Sequence, residues 1–569
     1  MTVQAEIDRP AALPLASTRI PWLPALVVAP VLTAVVAVVY WPGFSADWVR
    51  DDLNLVAFSR LLGTPWSLFV QDHFHVPGAH FRPIGYLTLW LNQVLFGNGY
   101  LSYSLAEFAL HVGCTLALYR LIRLTVVSRF VAVLCTLVFA IHPAVISAAL
   151  WSSDRSGHLA TLFTLIAVRA AFDYRDRLRW QSLTIVLTTS LAAMLSKELG
   201  VVVAIPITGL WLGAALWRRV PMWRRLLGLW TVVMIYFLWR WWVLGTVASN
   251  TTGAIPLPQI LAQGLGVWLG AISGYVFFWA RLGPLERWWL ICCGALILGT
   301  LSYGTWRART AAWRRCHGDV LWIGVSLAIF PGLLQAPIAA LNLIPLNNEV
   351  SAVEVAMQAR LYYLAVAGLV LTASVVLALI EEQWTQGATR WILPAVVANC
   401  ALFLGLVGWH SVDAYRLRSV EIARIPRAAV AALDDYDLPK RRCLIIYLGI
   451  RHAPEWDIYA SMDSIVKTVS SNLDRVGHCQ IYADYPTYYH FLPAGSAEAE
   501  GTQPFEFRQV HGEPLLPRRV GNLEIAYLGA PETLVGADFA HALILAYEDG
   551  HFRDVTADVV SGRRSINVR

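Results

Sequence analysis

Over roughly the first 410 positions, apolar residues run in long blocks separated by short polar stretches. A block of roughly 20 apolar residues is long enough to cross a bilayer as a helix. Eleven blocks have about that length: 22–41, 101–123, 128–148, 158–174, 180–196, 200–217, 225–245, 286–305, 318–340, 360–380 and 390–410. The first is long and lacks the small-residue cleavage pattern of a removed signal peptide, so it counts as a span. Segments 83–97 and 262–283 are also apolar. The first is too short to cross, and counting the second would turn the basic stretch 306–315 outward. Both are read as interfacial or re-entrant helices on the outer face.

Arginines gather in alternate loops: Arg120, Arg123 and Arg129; then Arg175, Arg177 and Arg179; then Arg218, Arg219, Arg224 and Arg225; then Arg307 to Arg315. Basic loops stay on the cytoplasmic side, which places the N-terminus inside. Loops 42–100, 149–157, 246–285 and 341–359 then face outward. After an odd number of spans the C-terminal region does too.

From about residue 415 charges, Pro and Gly return at soluble frequencies. β-type runs occur at Cys443–Ile450, His478–Ala483, Leu523–Leu528 and Ala542–Tyr547, and Asp549-Gly550 reads as a hairpin turn before Phe552–Thr556. Stretch 457–475 is helix-compatible. The expected architecture is an α-helical polytopic membrane protein, residues 1–414 with about eleven spanning helices, followed by a small α/β soluble domain, 415–569. The expected setting is a multi-pass protein of a cell inner membrane, its outer loops and C-terminal domain periplasmic.

Composition agrees. Hydrophobic residues make up 57% and charged residues 14%, where a soluble domain carries about 25% charged. Many of the 25 tryptophans sit at the ends of apolar blocks, the headgroup zone that suits an indole. The net charge of +6 lies in those short orienting clusters, so it argues for membrane lipids as partners and against nucleic acid. The cysteines show no metal-ligand spacing. Cys443 and Cys479 lie in the polar tail and could pair if that tail is extracytoplasmic.

Ionisable groups at membrane depth are costly and mark functional sites. The first outer loop carries Asp51-Asp52, then Asp72, His73 and His75, then His80 and Arg82. A carboxylate beside an apolar helix can have the raised pKa of a general base. An Asp before Leu53–Leu62 also reads as a helix N-cap. His73, His75 and His80 near two aspartates are ligand types for a divalent metal, but in no specific spacing. No residue is assigned as a metal ligand and no cofactor is firmly implied.

Lys197 is the only lysine before position 440. A compact ammonium among arginines suits a phosphate partner. A simple interfacial ion pair with Glu198 is the plain alternative. Glu107 and His111 are four apart within one span, so they share a helix face. Arg155 and Arg360 fall on the same side as Lys197 and Asp51-Asp52. An anion site then faces a carboxylate base, and an anionic lipid headgroup would fill it.

The order of these segments resembles the GT-C superfamily of membrane glycosyltransferases, and within it the transmembrane and tetratricopeptide-repeat protein O-mannosyltransferases. Asp51-Asp52 is similar to the acidic pair after the first span. Arg82-Pro83 with Asn92, Gly97, Tyr103 and His111 resembles the next stretch, and His142-Pro143 with Trp151 and Arg155 the following loop. Ser196-Lys197-Glu198 with Gly200 resembles the (S/C)KE motif. Asn342, Leu343-Ile344-Pro345, Arg360 and Tyr363 resemble the late Asn-Leu-Ile-Pro and Glu-Arg-x-x-Tyr pattern. The resemblance spans roughly residues 22–375. The chain departs from it at Gly157 and Ala359, where the family carries acids, and has no tetratricopeptide repeats.

The resemblance implies an inverting glycosyltransferase with a polyprenyl-phosphate-linked sugar as donor and a glycan, lipid or protein hydroxyl as acceptor. Asp51 or Asp52 would be the base, with Asp51 favoured as the first acid of the pair. Lys197, Arg155, Arg360 and Tyr363 would hold the donor phosphate. Glu198, Arg82, His80, His142, Glu107 and His111 are further candidates. Two other classes stand beside the glycosyltransferase: a lipid-linked saccharide transporter, which would also need a basic headgroup site and would show an inverted repeat of its spans, and a membrane scaffold for the C-terminal domain, which would need no acidic pair opposite a cationic cluster.

Overall fold

The computed structural model describes residues 25–73, 80–126, 129–218, 222–247, 258, 311–342, 360–361, 363–383, 392–438, 443–450, 462–476, 479–483, 489–493, 505–509, 518–520, 523–525 and 542–561. Ten helices come first: α1 (Ala25–Tyr40), α2 (Asp51–Leu61), α3 (Pro83–Phe96), α4 (Tyr100–Ile122), α5 (Arg129–Ala140), α6 (Pro143–Ala148), α7 (Arg155–Arg177), α8 (Trp180–Ser196), α9 (Ala204–Arg218) and α10 (Trp223–Leu244). Further long helices cover Ala311–Asn342, Tyr363–Gln383 and Ile392–Ile422.

Five helices among the described residues are long and apolar enough to cross a membrane: Val27–Ser45, Tyr100–Ile122, Glu198–Leu216, Trp223–Leu244 and Pro394–Ala431. Arg129–Ala140, Trp180–Ser196, Gly318–Leu334 and Tyr363–Ala378 are apolar but shorter. On α10 the side chains of Leu227, Trp230, Met234, Leu238 and Trp241 are exposed. A row of large apolar side chains turned outward suits lipid rather than water. Block 128–148 is divided, because Pro143 starts α6 after α5 has ended at Ala140. Segment 83–97 forms the 14-residue α3, and Pro83 at its first position fixes φ where the N–H has no helical partner. Segments 262–283 and 286–305, His75 and the Leu343-Ile344-Pro345 motif lie outside the described residues.

The Ile392–Ile422 helix runs through position 415. Among the described strands beyond it, 489–493 with 505–509 and 518–520 with 523–525 form two antiparallel pairs, and four form a sheet in the order 480–483, 444–448, 543–548, 551–554, with three parallel strands and an antiparallel edge. Asp549 (φ 50°) and Gly550 (φ 85°) make its hairpin turn, the backbone that a two-residue hairpin needs at both central positions. Cys443 and Cys479 are joined in a disulfide across a separation of 36 residues. Closing a loop of that size is worth about 3–4 kcal/mol in the chain-entropy account. One continuous buried cluster runs from Leu32 and Val36 of α1 through Leu53 and Phe58 of α2 to Ile445, Ile465 and Leu545. The C-terminal sheet and its helix Met462–Val469 therefore share a core with α2.

Candidate active site

Asp51 and Asp52 form the first turn of α2. Neither is its N-cap. That position is Arg50, which makes no side-chain cap bond. The helix-cap reading of the pair is thereby overturned. Arg50 has φ 46°, a backbone region that costs a non-glycine residue on the order of 1–3 kcal/mol. This bend brings the acids to the start of the helix, where the backbone dipole favours negative charge. Asp51 is half-buried, while Asp52 is 1% exposed. One Asp52 oxygen accepts from the Ser153 amide and hydroxyl, both at 2.7 Å, and the other has no partner. Burial pushes the Asp52 carboxyl up to about 8, against the lowering bonds from Ser153.

Lys197 ends α8, and the chain turns sharply there into the Glu198–Val203 helical turn. Gly200 permits the turn: a Cβ on it would lie 2.2 Å from the Ala193 carbonyl. Lys197 is 6% exposed and donates to Asp154 at 2.5 Å. Its ion-pair partner is thus Asp154 rather than the neighbouring Glu198. The second Asp154 oxygen has no partner. Asp154 lies directly on Gly157, where a Cβ would meet its carboxylate at 2.5 Å. Small size at that position, where the resembled family carries an acid, makes room for the acid three residues earlier.

Glu198 accepts from Arg82 at 2.9 Å and from Arg240 at 3.4 Å, with His80 at 3.5 Å. Arg360 sits over the Trp151 ring, 4.6 Å from its centroid. It interacts electrostatically with Asp154, Asp51, Arg82 and Arg50, and Lys197 does so with Arg82 and Arg360. Arg360 therefore lies within electrostatic reach of Asp51 and of the Lys197–Asp154 pair, and Arg82 within reach of Lys197 and Arg360.

Two further residues expected at a phosphate also make bonds within the frame. Arg155 is buried and donates to Glu107 at 2.5 Å and to the Thr88 carbonyl at 3.1 Å. Glu107 also meets His158 at 2.9 Å. Tyr363 is buried 2.6 Å from His111 Nδ1. His111 Nε2 faces the Ala140 carbonyl at 2.8 Å, so it carries the ring hydrogen. Nδ1 then accepts, and the Tyr363 hydroxyl hydrogen is committed to it. Glu107 and His111 share a face but bind different partners. His142 caps α6 through a bond from the Ala144 amide. His73 packs edge-on against Phe58. Among the described residues no three His, Cys, Asp or Glu side chains come together as a metal site.

Asp154, Ser153 and Arg240 did not stand out in the sequence as site residues. Arg240 carries the clearest signal, a charge inside the apolar block that became α10. Asp154 and Ser153 carried none beyond their closeness to Arg155.

No protein-family model and no curated protein matches the chain. Solved structures similar to it include the archaeal oligosaccharyltransferase AglB from Archaeoglobus fulgidus in complex with an inhibitory peptide and a dolichol-phosphate, at 12% identity and a TM-score of 0.41, covering 78% of this chain and 63% of that one. ArnT from Cupriavidus metallidurans bound to undecaprenyl phosphate matches at 15% identity and a TM-score of 0.42, over 81% of this chain and 90% of that one. The apo form of ArnT matches at 13% identity and a TM-score of 0.43, over 77% and 84% of the two chains. The chain thus spans about three-fifths of the length of the archaeal enzyme.

Proposed function

We propose that this protein is an inverting membrane glycosyltransferase of the GT-C type, which moves a sugar from a polyprenyl-phosphate donor to an acceptor hydroxyl. The observation that carries the reading is the partly open Asp51 within electrostatic reach of Arg360, which itself interacts with Arg82 and with the Lys197–Asp154 pair, at one end of an apolar bundle. The acceptor oxygen attacks the anomeric carbon from the face opposite the phosphate. The bond from that carbon to the phosphate oxygen breaks, and its electron pair leaves with the lipid phosphate. The acceptor proton passes to a carboxylate.

Asp51 suits that task. It is half-buried at the helix start, whereas Asp52 is enclosed and its one bonded oxygen is tied to Ser153. The leaving phosphate gains negative charge as it departs, so fixed cations stabilise the transition state more than the ground state. Lys197, Arg82 and Arg360 are assigned to it. Arg155 and Tyr363 act one step back, Arg155 by anchoring α4 to α7 through Glu107, and Tyr363 by fixing His111. The outer side of a cell inner membrane, with the C-terminal domain periplasmic, is the setting proposed.

The test is release of polyprenyl phosphate by purified protein in lipid nanodiscs, supplied with polyprenyl-phosphate hexoses. Lys197→Ala is expected to lower kcat/KM for the donor by about 100-fold, the range seen for removing one transition-state charge partner. Unchanged donor dependence would remove Lys197 from the phosphate site.

A further inference from the structure

We propose that Asn54 reads hydroxyl groups of the sugar ring bound beside Asp51, an inference that rests on the glycosyltransferase reading. Asn54 lies three residues after Asp51 and four before Phe58 on α2, so the three share one helix face. That face looks toward α3, because the Phe58 ring packs against Tyr86 at 5.8 Å and against His73 at 5.4 Å. Side chains on a helix lean toward its N-terminus, so the Asn54 amide covers the turn that carries Asp51.

Asn54 is 1% exposed, yet neither its amide nitrogen nor its amide oxygen has a hydrogen-bond partner. Burying an unsatisfied amide is destabilising, and native proteins rarely do it without a reason in function. Nor is it alone: Asp52, Ser152 and Asp154 each leave a buried oxygen without a partner. A primary amide presents two donors beside an acceptor. Neighbouring hydroxyls on a pyranose ring present the complementary set, each able to donate and accept. Phosphate would satisfy only the amide hydrogens, and a lipid tail neither group. A sugar ring is therefore the chemistry that fits. It belongs to the donor or to a saccharide acceptor, since both meet at the base.

The experiment uses the full chain in nanodiscs as wild type, Asn54→Leu and Asn54→Ala. Thermal unfolding is followed without substrate. Transfer from polyprenyl-phosphate mannose, glucose and galactose to octyl glucoside or octyl mannoside is followed alongside hydrolysis of the same donors by water. Asn54→Leu is expected to raise the unfolding temperature by about 2–4 °C, because it removes an unpaired buried amide. Both variants are expected to lose transfer by tenfold or more. If hydrolysis falls in parallel, the ring read is the donor's. If hydrolysis persists while transfer falls, it is the acceptor's.

A lowered unfolding temperature in Asn54→Leu together with wild-type transfer in Asn54→Ala would overturn the proposal, since the amide would then serve the fold. Wild-type transfer in both variants overturns it as well, and leaves the glycosyltransferase reading standing. A wild-type protein that neither transfers from nor hydrolyses any of these donors overturns both.

Discussion

Asp52 sits where ionisation is expensive. Its carboxyl is buried beside Asp51, and the two bonds from Ser153 do not offset the loss of water. An acid whose pKa is raised by folding binds its proton more tightly in the folded state. Its contribution to stability is fully present below the ordinary value of 3.8 and is lost as pH rises toward about 8. The apparent unfolding temperature is therefore expected to fall between about pH 4 and pH 8, and Asp52→Asn should flatten that fall. An unchanged profile in the variant would show that Asp52 does not titrate in this range. The sequence displayed the acidic pair but could not separate its members. Only the seating of Asp52 under Ser153, about a hundred positions away, distinguishes them. Lys197 was conspicuous as a lone lysine, while its partner Asp154 was an ordinary loop acid until the fold brought the two together.

At the scale of elements, α2 is held by the C-terminal region as much as by the bundle. Arg60 donates to the Lys467 and Ser470 carbonyls, each at 2.7 Å, at the C-terminal end of the Met462–Val469 helix. The Thr468 hydroxyl returns a bond to the Leu53 carbonyl at 2.7 Å, and Asn98 donates to the Thr468 carbonyl at 2.6 Å. A cation on the last carbonyls of a helix is favourable on both hydrogen-bond and dipole grounds. Arg60→Ala should weaken the docking by about 1.5–3 kcal/mol. Hydrogen exchange should then speed up in Met462–Val469, while α8 keeps wild-type protection. Unaltered exchange in that helix would mean that the apolar core alone holds the contact. Apolar block lengths and β-type runs made most of the long helices and the four-stranded sheet legible in the sequence, but not the strands 489–493, 505–509 and 518–520. Contacts between positions 60 and 467 leave no such trace, because they join segments of unlike pattern across four hundred residues.

For the whole molecule, the alternation of basic and acidic loops set the expected topology, and the apolar outer face of α10 fits a lipid surround. The chemistry gathers at one end of the bundle, against the helix that the C-terminal sheet supports. Arg155 and Tyr363 show the limit of reading a site from the sequence. Both belong in order and spacing to the pattern that pointed to a phosphate, and both lie close to the cluster. The Arg155 Nε hydrogen and the Tyr363 hydroxyl hydrogen, however, are directed into the frame at Glu107 and His111. The measurement that bears most directly on the central claim is sugar transfer from a purified polyprenyl-phosphate donor, with the anomeric configuration of the product determined by NMR. The wild-type protein should form a product of inverted configuration. Asp51→Asn should bind the donor as well as wild type while transfer falls by a factor of 100 or more, in the range of a lost general base. Retained configuration, or full transfer by Asp51→Asn, would contradict the account.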